Sequence, residues 1–101
     1  MVIHIDRLLE ECIKRGASEI RLRPGERPQL YVRGTFVHVG LQPPTDEDVR
    51  SLMRSITPDT KQRELEDGGQ TSFDFAFGDM ARFYMRVQAG NSVINIVLRP
   101  F

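Results

Sequence analysis

The chain is short of the residues that let a protein do chemistry unaided. Among its 101 residues are one cysteine (Cys12), two histidines (His4 and His38) and two lysines (Lys14 and Lys61). A single cysteine excludes an internal disulfide, which accords with a reducing cytoplasm. No pair among these residues has zinc-ligand spacing, and Cys12 falls on an apolar stripe, so a buried structural thiol is expected and a metal site is not. Neither lysine follows a glycine, which excludes a phosphate loop of the GxxxxGK[ST] kind from these residues. An excess of one charge is missing as well. Fourteen Lys+Arg balance fourteen Asp+Glu, whereas a dedicated nucleic-acid binder is usually strongly basic. No stretch approaches the roughly 20 apolar residues that span a bilayer. The start Met-Val-Ile-His-Ile-Asp lacks the basic and apolar regions of a secretory signal, and Met1 is expected to be the natural start of a cytoplasmic protein.

What is present is ordinary for one small globular domain spanning residues 1–101, with 40% apolar and 28% charged residues. Ile5, Leu8, Leu9, Cys12 and Ile13 repeat at helical spacing, with Asp6 near the start, Lys14 and Arg15 in the last turn and Gly16 as a left-handed stop. Glu19 to Arg23 alternates apolar with charged residues and predicts a strand with Ile20 and Leu22 inward. Pro24-Gly25 and Pro28 break it, and Gln29 to Arg33 forms the next strand. A Gly34-Thr35 turn would pair Val32 with Val37, Tyr31 with His38 and Arg33 with Phe36, placing Leu30, Val32, Val37 and Val39 on one face. Gly40 to Pro44 is a connector.

Thr45 caps a second helix whose first turn is acidic (Asp46, Glu47, Asp48) and whose stripe is Val49, Leu52, Met53 and Ile56. Thr57-Pro58 starts a short polar helix, with Pro58 at its first position, running to about Glu66 before Gly68-Gly69. Phe73, Phe75 and Phe77 then alternate with Ser72, Asp74 and Ala76. After a Gly78-Asp79 turn, Ala81, Phe83, Met85 and Val87 alternate with Arg82, Tyr84, Arg86 and Gln88. A Gly90-Asn91 turn leads into Val93 to Leu98, apolar enough to be a central strand covered on both faces. The order predicts a two-layer α+β domain: a mostly antiparallel sheet of about six strands with helices on one face.

Acid pairs such as Glu10-Glu11 read as a solvated helix face, and Asp46 to Asp48 as a helix start, so independent catalysis is not expected. The arginines are the residues of interest. Arg21, Arg23, Arg33, Arg82 and Arg86 all fall opposite the aliphatic face of their strands. If the strands share a sheet, its second face is basic. Guanidinium forks suit phosphate or carboxylate; equally, these arginines can be surface partners for acids such as Asp74. A pocket ringed by Phe73, Phe75 and Phe77 and a filled aromatic core are the two readings of that row.

ASEIRLRPGERPQLYVRG, LQPPTDEDVRSLMRSITPD, FDFAFGDMARF and a final IVLRPF, in that order over nearly all of the chain, resemble the amino-terminal domain of secretion ATPases, most closely the type IV pilus retraction (twitching motility, PilT-like) ATPases. The resemblance implies a PAS-like domain ahead of a RecA-like ATPase domain absent from this chain. It implies cytoplasmic homo-hexameric rings peripheral to the inner membrane, where ATP hydrolysis with Mg drives pilus disassembly against a platform protein; the neutral overall charge speaks against nucleic acid as a partner. It also implies that arginines of this domain help grip nucleotide held by the downstream catalytic domain of the same or a neighbouring subunit. Arg82 matches the arginine of the family's ARF segment and Arg99 the arginine that usually follows the last strand. Two departures stand out. Arg21 occupies a position that is commonly histidine, and Tyr84 replaces a further arginine, with Arg86 two places on along the same face. The fragment alone is expected to bind no cofactor and hydrolyse nothing. The other reading is a free-standing PAS-like ligand-sensing or protein-interaction module.

Overall fold

The computed structural model describes residues 5–40, 42–90 and 93–101. Nine elements follow one another: α1 (Ile5–Arg15), β1 (Glu19–Leu22), β2 (Gln29–Val32), β3 (Thr35–His38), α2 (Asp46–Ile56), α3 (Asp59–Gly68), β4 (Gln70–Phe77), β5 (Ala81–Gly90) and β6 (Val93–Pro100). The strands form one sheet in the order β3-β2-β1-β6-β5-β4, and every neighbouring pair is antiparallel. Two three-stranded meanders, each built from consecutive strands, are thus joined edge to edge through β1 and β6. The α2–α3 segment carries the chain from β3 at one edge to β4 at the other. This is the two-layer α+β arrangement expected from the order of elements.

The helices pack on one sheet face, and the core lies between the layers. Ile20, Leu22, Phe83, Met85, Ile96 and Leu98 point inward from the three central strands and are buried, as are Leu9 and Cys12 of α1, Val49 and Leu52 of α2 and Leu65 of α3. Cys12 is fully buried, and its thiol donates to the Ala17 carbonyl at 3.5 Å. Burial raises its pKa, so it is the structural thiol expected. Gly16 ends α1 with φ 64°. At the start of α2 the Thr45 hydroxyl accepts from the Asp48 amide (3.1 Å) and the Asp48 carboxylate accepts from the Thr45 amide (2.9 Å), a reciprocal capping box. The Thr45 amide is also the main reason the Asp48 carboxyl sits below its ordinary pKa.

Four expectations are corrected. Thr57 does not start α3; it closes α2, donating its amide to the Met53 carbonyl, and Pro58 stands at the cap position with α3 beginning at Asp59. α3 also runs to Gly68, two residues beyond Glu66, and is stopped by Gly69 at φ 77°. Strand β6 is central, but only its Ile94, Ile96 and Leu98 side is buried; Val93, Asn95 and Val97 are half-buried on the other side. Of the Gly90-Asn91 turn, Asn91 lies outside the described residues, as does His4, while Gly90 pairs with Val93 at the end of β5.

The fourth correction is the register of the β2–β3 hairpin. Leu30 pairs with Val37, Tyr31 with Phe36 and Val32 with Thr35, so the turn is Arg33-Gly34, not Gly34-Thr35. Both turn residues have positive φ (51° and 82°), as a type I′ turn requires. The partner strand is displaced by two residues from expectation. A shift of two preserves the side-chain alternation, so the aliphatics share a face in either register and face parity does not distinguish them. The Arg33–Phe36 contact is replaced by Tyr31 against Phe36, ring centroids 4.7 Å apart, with Arg21 over the Phe36 ring at 4.7 Å. An arginine in the left-handed region is strained relative to asparagine or glycine. Arg33→Asn, which creates the favoured Asn-Gly corner, is therefore expected to stabilise the domain by about 0.5–1 kcal/mol in urea unfolding; destabilisation would contradict this register.

Candidate functional site

The sheet face turned away from the helices carries the arginines. Arg21 of β1 and Arg86 of β5 both lie beside Val97 of β6, which separates them. In the neighbouring row Arg99 of β6 lies beside Tyr84 of β5, which lies beside Asp74 of β4. Arg82 is two residues before Tyr84 on the same side, and Arg23, one residue past β1, continues its outward alternation. The face thus brings Arg82, Arg86 and Arg99 together with Arg21 and Arg23. Arg33 is excluded, since it sits in the hairpin turn. These five guanidiniums meet two carboxylates on the outward positions of β1 and β4, Glu19 and Asp74. A chain with no net charge therefore presents one face with an excess of three positive charges.

Glu19 organises the centre of this face. It is only 8% exposed, and it accepts from Arg21 Nε at 2.5 Å and from Arg99 Nε at 3.0 Å. Burial alone would raise its pKa, but the hydrogen bonds and charges of Arg21 and Arg99 outweigh that and hold it below the usual carboxylate range. Both arginines reach Glu19 through Nε, so these contacts leave their terminal Nη groups free for another acceptor. Arg82 differs: its Nη2 pairs with Asp74, both side chains being about half exposed, and that hydrogen bond lowers the Asp74 pKa. The pairing with Asp74 is the plain reading of the arginines, realised for Arg82. The Arg82 guanidinium also lies 6.0 Å from the Phe101 ring, and its carbonyl accepts from the Phe101 amide. Arg86 and Arg23 make no side-chain hydrogen bond or ion pair among the described residues.

Among the outward side chains of β6, Asn95 and Val97 are short, while those of flanking β1 and β5 are long. A groove of about 350 Å³ follows, floored by Asn95 and Val97 and walled by Arg21 and Arg23 on one side and Tyr84, Arg86 and Gln88 on the other. Arg86 also borders a second cavity of about 350 Å³ with Lys61 and Ser72. On the helix side, the rings of Phe73, Phe75 and Phe77 are half-buried and pack on one another and on Phe83 at 5.9–6.4 Å. The phenylalanine row is thus part of the packed layer. Glu19 is the site residue that the sequence reading missed as an organiser. Its bond to Arg99 joins residues 80 apart, and only the β1–β6 register reveals it.

Removing the Glu19 carboxylate is expected to loosen both arginines. Glu19→Gln should cost about 1–2 kcal/mol at pH 7, allowing for the exposure of the two arginines. The folded-state pKa is depressed, so the contribution is present above the unfolded value of about 4.3 and fades as pH falls through the lower folded value. Urea unfolding of both proteins at pH 7, 4.5 and 3 should show the gap between them closing at the acid end; a gap independent of pH would remove the ionic account.

No protein-family model matches the chain. The chain is 33% identical over 87 residues to the type IV pilus retraction ATPase PilT of Pseudomonas aeruginosa, which covers 86% of this chain and 25% of that protein. The fold superposes on a crystal structure of the pilus retraction motor PilT with bound ADP at a TM-score of 0.86, with 28% identity, 96% of this chain and 29% of that one covered. It superposes on the Legionella pneumophila ATPase DotB at 0.81, with 22% identity, 96% of this chain and 28% of that one covered; this second likeness shows the fold alone. The chain therefore spans between a quarter and a third of the length of these proteins. Sequence and fold together make it a homologue of one part of the type IV pilus retraction ATPase PilT.

Proposed function

We propose that this chain is the regulatory and assembly domain of a hexameric pilus retraction or secretion ATPase. In this reading it brings Arg82, Arg86 and Arg99 toward ATP and Mg held by a catalytic domain of the same or a neighbouring subunit. The observation that carries the reading is the single arginine-rich sheet face on a chain without a phosphate loop, combined with likeness to ATPases of about four times its span. Phosphoryl transfer rewards guanidinium groups placed over developing phosphate charge, and they need not come from the domain that binds the nucleotide. A sheet face is a suitable mount, because its outward side chains are positioned by a buried ladder and not by a loop. Arg82 and Arg99 stand on adjacent strands and Arg86 is four residues from Arg82 on β5, so a single nucleotide approaching this face meets all three.

The wider setting belongs to the same reading. The assembled protein works in the cytoplasm against an inner-membrane platform protein; among the described residues no helix is long and apolar enough to cross a membrane. The 101-residue chain alone should release no phosphate from ATP, whereas a form extended through a catalytic domain with an intact phosphate loop should. Within that extended form Arg82→Ala is expected to lower kcat about tenfold or more, with the thermal midpoint of this domain little changed because the Arg82–Asp74 pair is exposed. Turnover by the 101-residue chain, or unaltered kinetics in the extended variant, would overturn the proposal.

A further inference from the structure

The geometry points to a phosphate-binding seat in the β6 groove itself, formed by Arg23 and Arg86 with the side-chain amides of Asn95 and Gln88, which takes a pyrophosphate-like group without any help from a catalytic domain. The inference shares Arg86 with the reading above but does not rest on it.

Availability singles out these residues. Arg82 is engaged by Asp74, and Arg21 and Arg99 are engaged by Glu19. Arg21 also leans toward β3, over the Phe36 ring, which draws it away from the groove floor. Arg23 and Arg86 stand on opposite walls with no partner among the described residues. Two like charges facing across a groove repel unless an anion lies between them. Floor and wall supply neutral donors beside them: Asn95 of the floor and Gln88 of the β5 wall are paired across β6 and β5, and each carries an amide able to donate to an oxyanion. Near one end Tyr84 offers a hydroxyl and a half-exposed ring.

The number of cations decides the class of ligand. One carboxylate is satisfied by a single guanidinium fork. Here two guanidiniums with no partner among the described residues come from different walls, and Arg99, whose bond to Glu19 uses Nε, also lines the groove. That set suits a ligand with several charged oxygens spread around tetrahedral centres, which describes a di- or triphosphate better than a side-chain acid. Glu19 serves as a positioning residue: by tying down Arg21 and Arg99 it keeps the groove from collapsing on their side and limits its charge.

The test is titration of the isotope-labelled chain with inorganic pyrophosphate at fixed ionic strength, following the amide resonances of Gln88 and Asn95. Saturable shifts are expected, with succinate of matched concentration producing little. Arg23→Gln and Arg86→Gln, both at exposed positions, should keep the wild-type thermal midpoint and each weaken binding by about tenfold, as loss of a charge-assisted hydrogen bond implies. Arg63→Gln, which removes the same charge from the helix layer, should leave the affinity as it was. ADP then distinguishes the sources of the phosphate. Tighter binding than pyrophosphate with added shifts at Tyr84 assigns the seat to a nucleotide, and equal binding assigns it to the phosphate alone. Absence of saturation at millimolar pyrophosphate would overturn the seat, as would equal weakening by Arg63→Gln, equal binding of succinate, or loss confined to an Arg82→Gln variant. That last outcome would leave the Arg82 reading intact, whereas unchanged turnover of Arg82→Ala in the extended protein would leave this seat intact.

Discussion

The pairing of β1 with β6 is the constraint from which the remaining structure follows. Each meander is local, built from strands consecutive in the chain, and would form a three-stranded sheet with two open edges. Joining the first strand to the last closes one edge of each and makes a six-stranded platform wide enough to carry three helices. It also buries Ile20 and Leu22 against Leu98 and Ile96 in register. Because side chains alternate, the same register that aligns these residues inward aligns Glu19 with Arg99 and Arg21 with Val97 outward. Core packing and the charged face are therefore one event read from two sides.

The two faces differ in how they are held. The inward face is stabilised by burial and needs no specific partners. The outward face concentrates like charge, which is unfavourable unless it is managed. Glu19 manages it where crowding is greatest, between two arginines on adjacent strands, and accepts burial to do so. The hydrogen bonds it receives offset the desolvation it suffers, which is why its pKa goes down and not up. Asp74 does the same nearer the β4 edge, but in solvent, where the pair contributes little to folding. The face is thus an arrangement of partly neutralised cations, and a chain with balanced overall charge conceals it from composition.

What was legible in the sequence was whatever depends on neighbours along the chain. The stripe of α1, the Thr45 cap with its acidic first turn, the Gly16 and Gly69 stops and the alternation in β4 and β5 all rest on local rules and all appear in the fold. The β2–β3 turn shows where such rules run out. Two registers that differ by two residues keep Leu30, Val32, Val37 and Val39 on the same face, so hydrophobic pattern cannot choose between them, and the positive φ of Arg33 is a conformation that propensity argues against. By sequence Thr57 reads as the start of the helix that follows it, whereas its amide closes the one before; a threonine ahead of a proline satisfies either role in one dimension. The arginines of the site were visible as alternating cations, yet their grouping, and Glu19 between two of them, depends on a contact between residues at opposite ends of the chain.

The separate states of the arginines bear on how such a face can be recruited. An arginine already paired must either release its partner or use donors that the pair leaves idle. Arg99 needs no release: its Nε is committed to Glu19 while its Nη groups are not, so an arriving oxyanion adds to the network, and the buried carboxylate stays satisfied. Breaking that contact instead would leave Glu19 buried with only Arg21, a costly state. Arg82 is the reverse case, since its bond to Asp74 uses a terminal nitrogen and the exposed pair is easily exchanged. Arg86 has no partner to exchange among the described residues. An anion descending on this sheet therefore meets a free cation in the groove, a pre-oriented one beside it and a displaceable one toward β4, and the resistance it encounters is set by how deeply each carboxylate partner is buried.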